Sequence, residues 1–137
     1  GTQHFRNADR HQVLKSERVL AVRLDEMLYF LNGHTFEDAV NQLLNTNKNL
    51  TDLVLLCTAI NEIDASGLEV LESINERLDS QGIRFHLSEV KGPVMDRLDR
   101  VGFKAHLTGQ IFLSHYDAMC ALDPDCESNG HVRSARP

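Results

Sequence analysis

The sequence predicts an α/β sandwich in which about four helices pack on a small mixed β-sheet. Three observations carry that expectation. Leu53-Val54-Leu55-Leu56-Cys57 is continuously apolar and of strand length, as in a central strand covered on both faces. Amphipathic helical stripes flank it on either side. Turn residues separate short apolar runs from these stripes, so strands and helices alternate along the chain.

The elements follow in order. Val13-Leu14 and Val19-Leu20-Ala21-Val22 read as strands, separated by a turn at Lys15-Ser16-Glu17-Arg18. Leu28-Tyr29-Phe30-Leu31 reads as a third short strand, ended by the turn pair Asn32-Gly33. Phe36, Ala39, Val40, Leu43 and Leu44 form one apolar helical stripe, and Thr35 with Asp38 resembles a capping box. Asn49-Leu50-Thr51 is a glycosylation sequon by pattern, but it reads as the loop into the central strand. A second helix runs from about Ser66 to Ser80. It buries Leu68, Leu71, Ile74 or Asn75, and Leu78, shows Glu69, Glu72, Glu76 and Asp79 to solvent, and stops at Gly82. Arg84-Phe85-His86-Leu87 alternates as a strand, with His86 facing solvent or held as a satisfied, partly buried residue. Pro93 opens a third helix with Val94, Leu98 and Val101 inward and Gly102 as its stop. Ile111-Phe112 is a last strand, and Ser114 caps a helix ending near Leu122.

The 137 residues suit one domain: residues 1–12 read as linker, 13–122 as the domain and 123–137 as a polar tail. The absence of an initiator Met predicts a fragment of a longer chain. Lys and Arg number 14 against 20 Asp and Glu, a net charge of −6, which disfavours nucleic acid as a partner. No stretch approaches the roughly 20 apolar residues of a membrane span, and no signal peptide opens the chain. The three cysteines show no CxxC spacing, so neither a disulfide framework nor a zinc site is expected, and the compartment reads as reducing. No serine-hydrolase elbow, phosphate loop, dinucleotide fingerprint or HExxH motif is present, and no two of the seven histidines have metal spacing on one expected helix face. No catalytic residue, metal or cofactor is therefore expected.

The stretch Asn61 to Leu68, between the buried strand and the second helix, is where α/β folds present backbone N–H groups. Physical chemistry alone favours a plain cap there, because Ser66 with Glu69 fits the Ser-x-x-Glu pattern.

Ile63-Asp64-Ala65-Ser66-Gly67-Leu68 after an apolar strand resembles the signature loop of the STAS domain. That fold is shared by sulphate transporters and anti-sigma-factor antagonists. Leu28-Tyr29-Phe30-Leu31-Asn32 followed by Phe36-Glu37 is similar to the segment of the SulP anion-transporter branch. Leu98-Asp99-Arg100-Val101-Gly102-Phe103, then Ile111-Phe112 and a final helix, resembles the family's closing pattern. The resemblance implies a STAS-like sandwich and a non-enzymatic role. The domain would be the regulatory part of a SulP-type transporter of sulphate or a related anion, on the cytoplasmic face of the cell membrane. Its partner would be the membrane-spanning region of the same polypeptide, with a cytosolic regulatory protein or a nucleotide as further partners. The alternative is a free-standing anti-sigma-factor antagonist acting by partner switching. In that branch the serine after the Asp accepts phosphate; here that position is Ala65, and Ser66 follows it. No basic residue lies between Leu50 and Ser73 to meet a phosphate. Asp64, Ala65, Ser66 and Gly67 are thus the candidate anion or partner loop, and Asn32, Gly33 and Thr35 a second interface.

Overall fold

The computed structural model describes residues 17–122. The expected linker, the Val13-Leu14 strand, Cys126 and the expected tail lie outside the described residues. Within them the chain alternates: β1 (Val19–Arg23), α1 (Leu24–Leu31), α2 (Phe36–Thr46), β2 (Asp52–Leu56), α3 (Ala65–Ser80), β3 (Arg84–Ser88), α4 (Gly92–Arg100), α5 (Phe103–His106), β4 (Ile111–Phe112) and α6 (His115–Leu122).

The four strands lie in the spatial order β1-β2-β3-β4, and each neighbouring pair is parallel. Among the described residues the sheet is parallel rather than mixed. Each strand after β1 is reached by a helical crossover, which is the connection parallel neighbours require. β2 is central and buried along its whole length, which explains its unbroken apolar run.

The sheet has two unequal faces. Leu20, Val22, Leu53, Leu55, Phe85 and Leu87 point to the larger core, beneath Met27, Phe30, Leu43, Leu71, Leu78 and Leu98 from the helices. Val19, Ala21, Val54 and Leu56 point to the other face, which Ala118, Met119 and Leu122 of α6 cover together with Phe112.

Segment 28–31 is helical, not a strand. Leu24, Met27 and Phe30 are its buried residues, spaced three apart, while Tyr29 is 75% exposed. That is the period of a helix; a strand would bury alternate residues. Asp25 and Glu26 occupy the first turn, where acidic side chains suit the helix dipole. At the far end of the fold Val101 is exposed rather than inward, because it is the residue at which α4 ends. Gly102 follows at φ 71°, and that left-handed turn carries the chain into α5.

α2 opens with the expected capping box: the Asp38 N–H donates to Thr35 Oγ1 at 3.0 Å, and the Asp38 carboxylate accepts from the Thr35 N–H. Ser114 Oγ accepts from the Asp117 N–H at 3.0 Å, as a cap of α6. Residues 49–51 form the loop into β2.

Candidate functional site: two depressions along α1

β2 ends at Leu56 and passes into a turn in which the Ile60 N–H donates to the Cys57 carbonyl at 3.0 Å. Ile63 then dips back into the core at 8% exposure and anchors the loop. Asp64 follows in extended backbone, and its Oδ1 accepts from the Gly67 N–H at 2.9 Å. The cap of α3 is therefore Asp64. This corrects the Ser66 expectation: Ala65 and Ser66 are already helical residues of the first turn, and both are exposed. Because the cap lies two residues earlier than the Ser-x-x-Glu pattern suggested, the hydroxyl of Ser66 sits beyond the capping position.

Gly67 is buried, and a Cβ at this position would stand 2.7 Å from Ile63 Cγ1. With no side chain there, Ile63 packs against the start of α3, and a groove of about 320 Å³ lies between α1 and the β2–α3 loop. Leu24 and Leu28 of α1 form one wall, Ile60 and Ile63 the other, and Glu62 and Asp64 stand on the rim. A second, smaller depression of about 220 Å³ lies at the other end of α1. Tyr29, Asn32, Gly33 and His34 line it, and Phe30 forms its back. The His34 ring stacks flat on Phe30 with centroids 4.1 Å apart, and its Nδ1–H donates to the Phe30 carbonyl at 3.1 Å.

Asp64 and Gly67 thus belong to one depression, and Asn32 and Gly33 to the other. α1 supplies residues to both. Ala65, Ser66 and Thr35 are exposed beside them and line neither. Sequence reading missed the α1 residues Leu24, Leu28 and Tyr29. It also missed Lys91, which comes from thirty positions beyond the loop to donate from Nζ to Asn61 Oδ1 at 2.7 Å. The three-residue spacing of Leu24, Met27 and Phe30 held the signal for the helix. No local pattern could have announced the Lys91 contact.

The electrostatics of the groove are acidic. The Arg23 guanidinium pairs with Asp25 at 2.8 Å, and that hydrogen bond and charge raise its pKa. Glu26 Oε1 is buried and has no hydrogen-bond partner. Below the groove, burial pushes the Cys57 thiol up to about 12, with the Asp25 charge adding to the effect. A thiol held in that state is a packing group, not a nucleophile. Among the described residues no cluster of His, Cys, Asp or Glu could hold a metal ion. What the arrangement offers is a fixed apolar groove with a negative rim on a rigid scaffold, suited to contact.

The other notable polar cluster lies across the sheet. Asp52 Oδ1 accepts from His86 Nε2–H at 2.8 Å and from Arg84 Nε–H at 2.9 Å. Its Oδ2 accepts from the Thr51 hydroxyl at 2.8 Å. The Gln110 N–H donates to His86 Nδ1 at 3.0 Å, which fixes the neutral tautomer with its proton on Nε2. His86 is fully buried, so of the two expectations for it, solvent-facing fails and satisfied burial holds.

A family model for the STAS domain matches residues 10–118. Sulfate transporter 1.3 of Arabidopsis thaliana is 25% identical over 136 residues, which cover 90% of this chain and 21% of that protein. The Arabidopsis protein named "Probable sulfate transporter 3.4" is 25% identical over 144 residues, 95% of this chain and 22% of its own length. The chain therefore spans about one fifth of these relatives. A crystal structure of a candidate anti-sigma factor antagonist from Thermotoga maritima superposes with a TM-score of 0.54 at 19% identity, over 73% of this chain and 78% of that one. Among the described residues no helix is long and apolar enough to cross a membrane.

Proposed function

The chain belongs to the STAS domain family, and from that premise we propose that it is the non-catalytic regulatory domain of a SulP-type transporter of sulphate or a related anion. It acts at the cytoplasmic face of the membrane, by contact with the membrane-spanning region of the same polypeptide. The observation that carries this reading is the pair of depressions along α1, which place the signature loop and the Asn32-Gly33 turn on either side of one short helix. A regulatory domain needs such a surface. The similarity to sulfate transporters supports the transporter context.

A second reading, a free-standing anti-sigma-factor antagonist, is favoured by the fold likeness and by the exposed Ser66 hydroxyl. Ala65 weighs against it, since the position directly after Asp64 has no hydroxyl to accept phosphate.

The test is anion flux in vesicles holding the full transporter, normalised to its amount. Gly33→Glu and Ala65→Lys add charge without disturbing the fold: a Cβ at Gly33 meets nothing within 4 Å, and Ala65 is exposed. Both should lower uptake while leaving insertion and the melting point of the domain unchanged. Wild-type flux in both variants would refute the reading. Stoichiometric labelling of Ser66 by an anti-sigma-factor kinase would move the assignment to the antagonist branch.

A further inference from the structure

We propose that the groove between α1 and the β2–α3 loop docks a basic amphipathic segment, with apolar side chains on the groove floor and Lys or Arg side chains on its rim. The proposal rests on the reading of this face as a contact surface and names the chemistry of its occupant.

Three observations converge on that occupant. The first is shape. Leu24, Leu28, Ile60 and Ile63 give an apolar floor, and Gly67 lines it without a side chain, against which Ile63 packs closely. About 320 Å³ admits a few side chains from a single segment, the geometry by which a groove reads the apolar stripe of a helix.

The second is charge. Glu62 and Asp64 are exposed on the rim, and no basic side chain lines the groove. The cations that approach are engaged: Arg23 by Asp25, and Lys91 by Asn61. An arriving Lys or Arg meets the two rim carboxylates of Glu62 and Asp64, which speeds encounter and selects sign.

The third is the start of α3. A helix N-terminus ordinarily attracts anions, but here the Gly67 N–H is already satisfied by the Asp64 carboxylate. An anionic occupant, a nucleotide phosphate included, would face the carboxylates of Asp64 and Glu62 at that helix end. The carboxylates that repel an anion favour a cation beside them.

The experiment titrates the 137-residue chain with two synthetic peptides of equal length and the same leucine stripe, one flanked by Lys, the other by Glu. Amide shifts map the contact. The Lys peptide should bind, move the signals of Leu28, Ile63 and Gly67, and weaken as salt rises. The Glu62→Gln/Asp64→Asn variant removes both rim charges yet keeps a capping side chain, and it should weaken binding by about threefold to tenfold and flatten the salt dependence. Leu28→Ala should weaken binding without changing the salt dependence, with the melting point as control for folding. Equal binding of the Glu peptide, binding unaffected by the double variant, shifts confined to the Glu69 and Glu76 face, or no binding of either peptide would each overturn the proposal. Flux and binding separate the two inferences. Reduced flux in Gly33→Glu and Ala65→Lys without peptide binding keeps the contact surface and rejects this occupant. Peptide binding with unaltered flux keeps the groove and rejects its role in transport.

Discussion

The Asp52–His86 pair makes folding sensitive to acid in a defined order. Burial, which disfavours the charged ring, outweighs the pull of Asp52 and holds His86 below the usual histidine range, with Arg84 adding to the effect. Burial of Asp52 opposes its ionisation, but hydrogen bonds from His86, Thr51 and Arg84 prevail and hold it below the usual carboxylate range. Both groups bind protons less readily folded than unfolded, so both contributions are present at high pH and lost as pH falls. The His86 contribution should decline below about pH 6.5, and that of Asp52 only below about pH 4. Urea midpoints measured against pH should show the first decline, and His86→Gln should flatten it by removing the titration. A proton on Nδ1 would also set two N–H groups against each other at Gln110. Nearby, a Cβ on Gly109 would stand 2.3 Å from the Phe85 carbonyl oxygen and 2.4 Å from His86 Nδ1, and backbone cannot yield as a side chain can. Gly109→Ala should therefore cost about 1–3 kcal/mol, measured by chemical denaturation. At the α3 cap, Asp64→Ala should cost about 1 kcal/mol and Asp64→Asn little, while Ser66→Ala should be nearly neutral. A Ser66→Ala loss as large as that of Asp64→Ala would return the cap to Ser66.

α1 shows how far a sequence reaches and where it stops. A window opened at Leu28 finds four apolar residues followed by Asn-Gly, which has the form of a strand and turn. Opened at Leu24, the same stretch shows Leu24, Met27 and Phe30 three apart, with acidic residues in the first turn, which has the form of a helix. The chain was readable there, but a short apolar run does not declare its period. β2, α2, α3 and β3 were legible because each carries a long stripe or an unbroken run. The direction of strand pairing was not, since β1, β2, β3 and β4 are joined by contacts far apart in the chain. Of the site, the loop residues Asp64 and Gly67 were legible, and the wall that α1 gives the groove was not. The burial of His86 was hidden for the same reason, because Asp52 and Gln110 arrive from other elements. The helical assignment makes an unequal pair of expectations. Phe30→Ala removes a ring that is 2% exposed and should cost about 3–5 kcal/mol. Tyr29→Ala removes one that is 75% exposed and should change stability little. Equal losses in calorimetric melts would contradict the helix.

At the scale of the whole molecule, the two sheet faces divide the labour. The larger core, under α1 to α5, holds the loop and groove in place, while the smaller face depends on α6. α6 is tied on at its start by Glu89, whose carboxylate accepts from the His115 N–H at 2.7 Å. Glu89 itself sits at φ 59°, a left-handed conformation uncommon for such a residue. Glu89→Gly should relax that backbone but lose the tie, so hydrogen exchange should quicken in α6 and remain slow in β2 and α3. Uniform quickening would mean that the two faces unfold as one. The spatial order of the strands, which repeats their order in the chain, has a bearing on synthesis. Each strand emerging from the ribosome finds its neighbour already made, and it can add to the growing edge without waiting for anything downstream. Chains arrested with Ser88 just outside the exit tunnel should already protect β1 and β2 from protease, although β4 and α6 have yet to emerge.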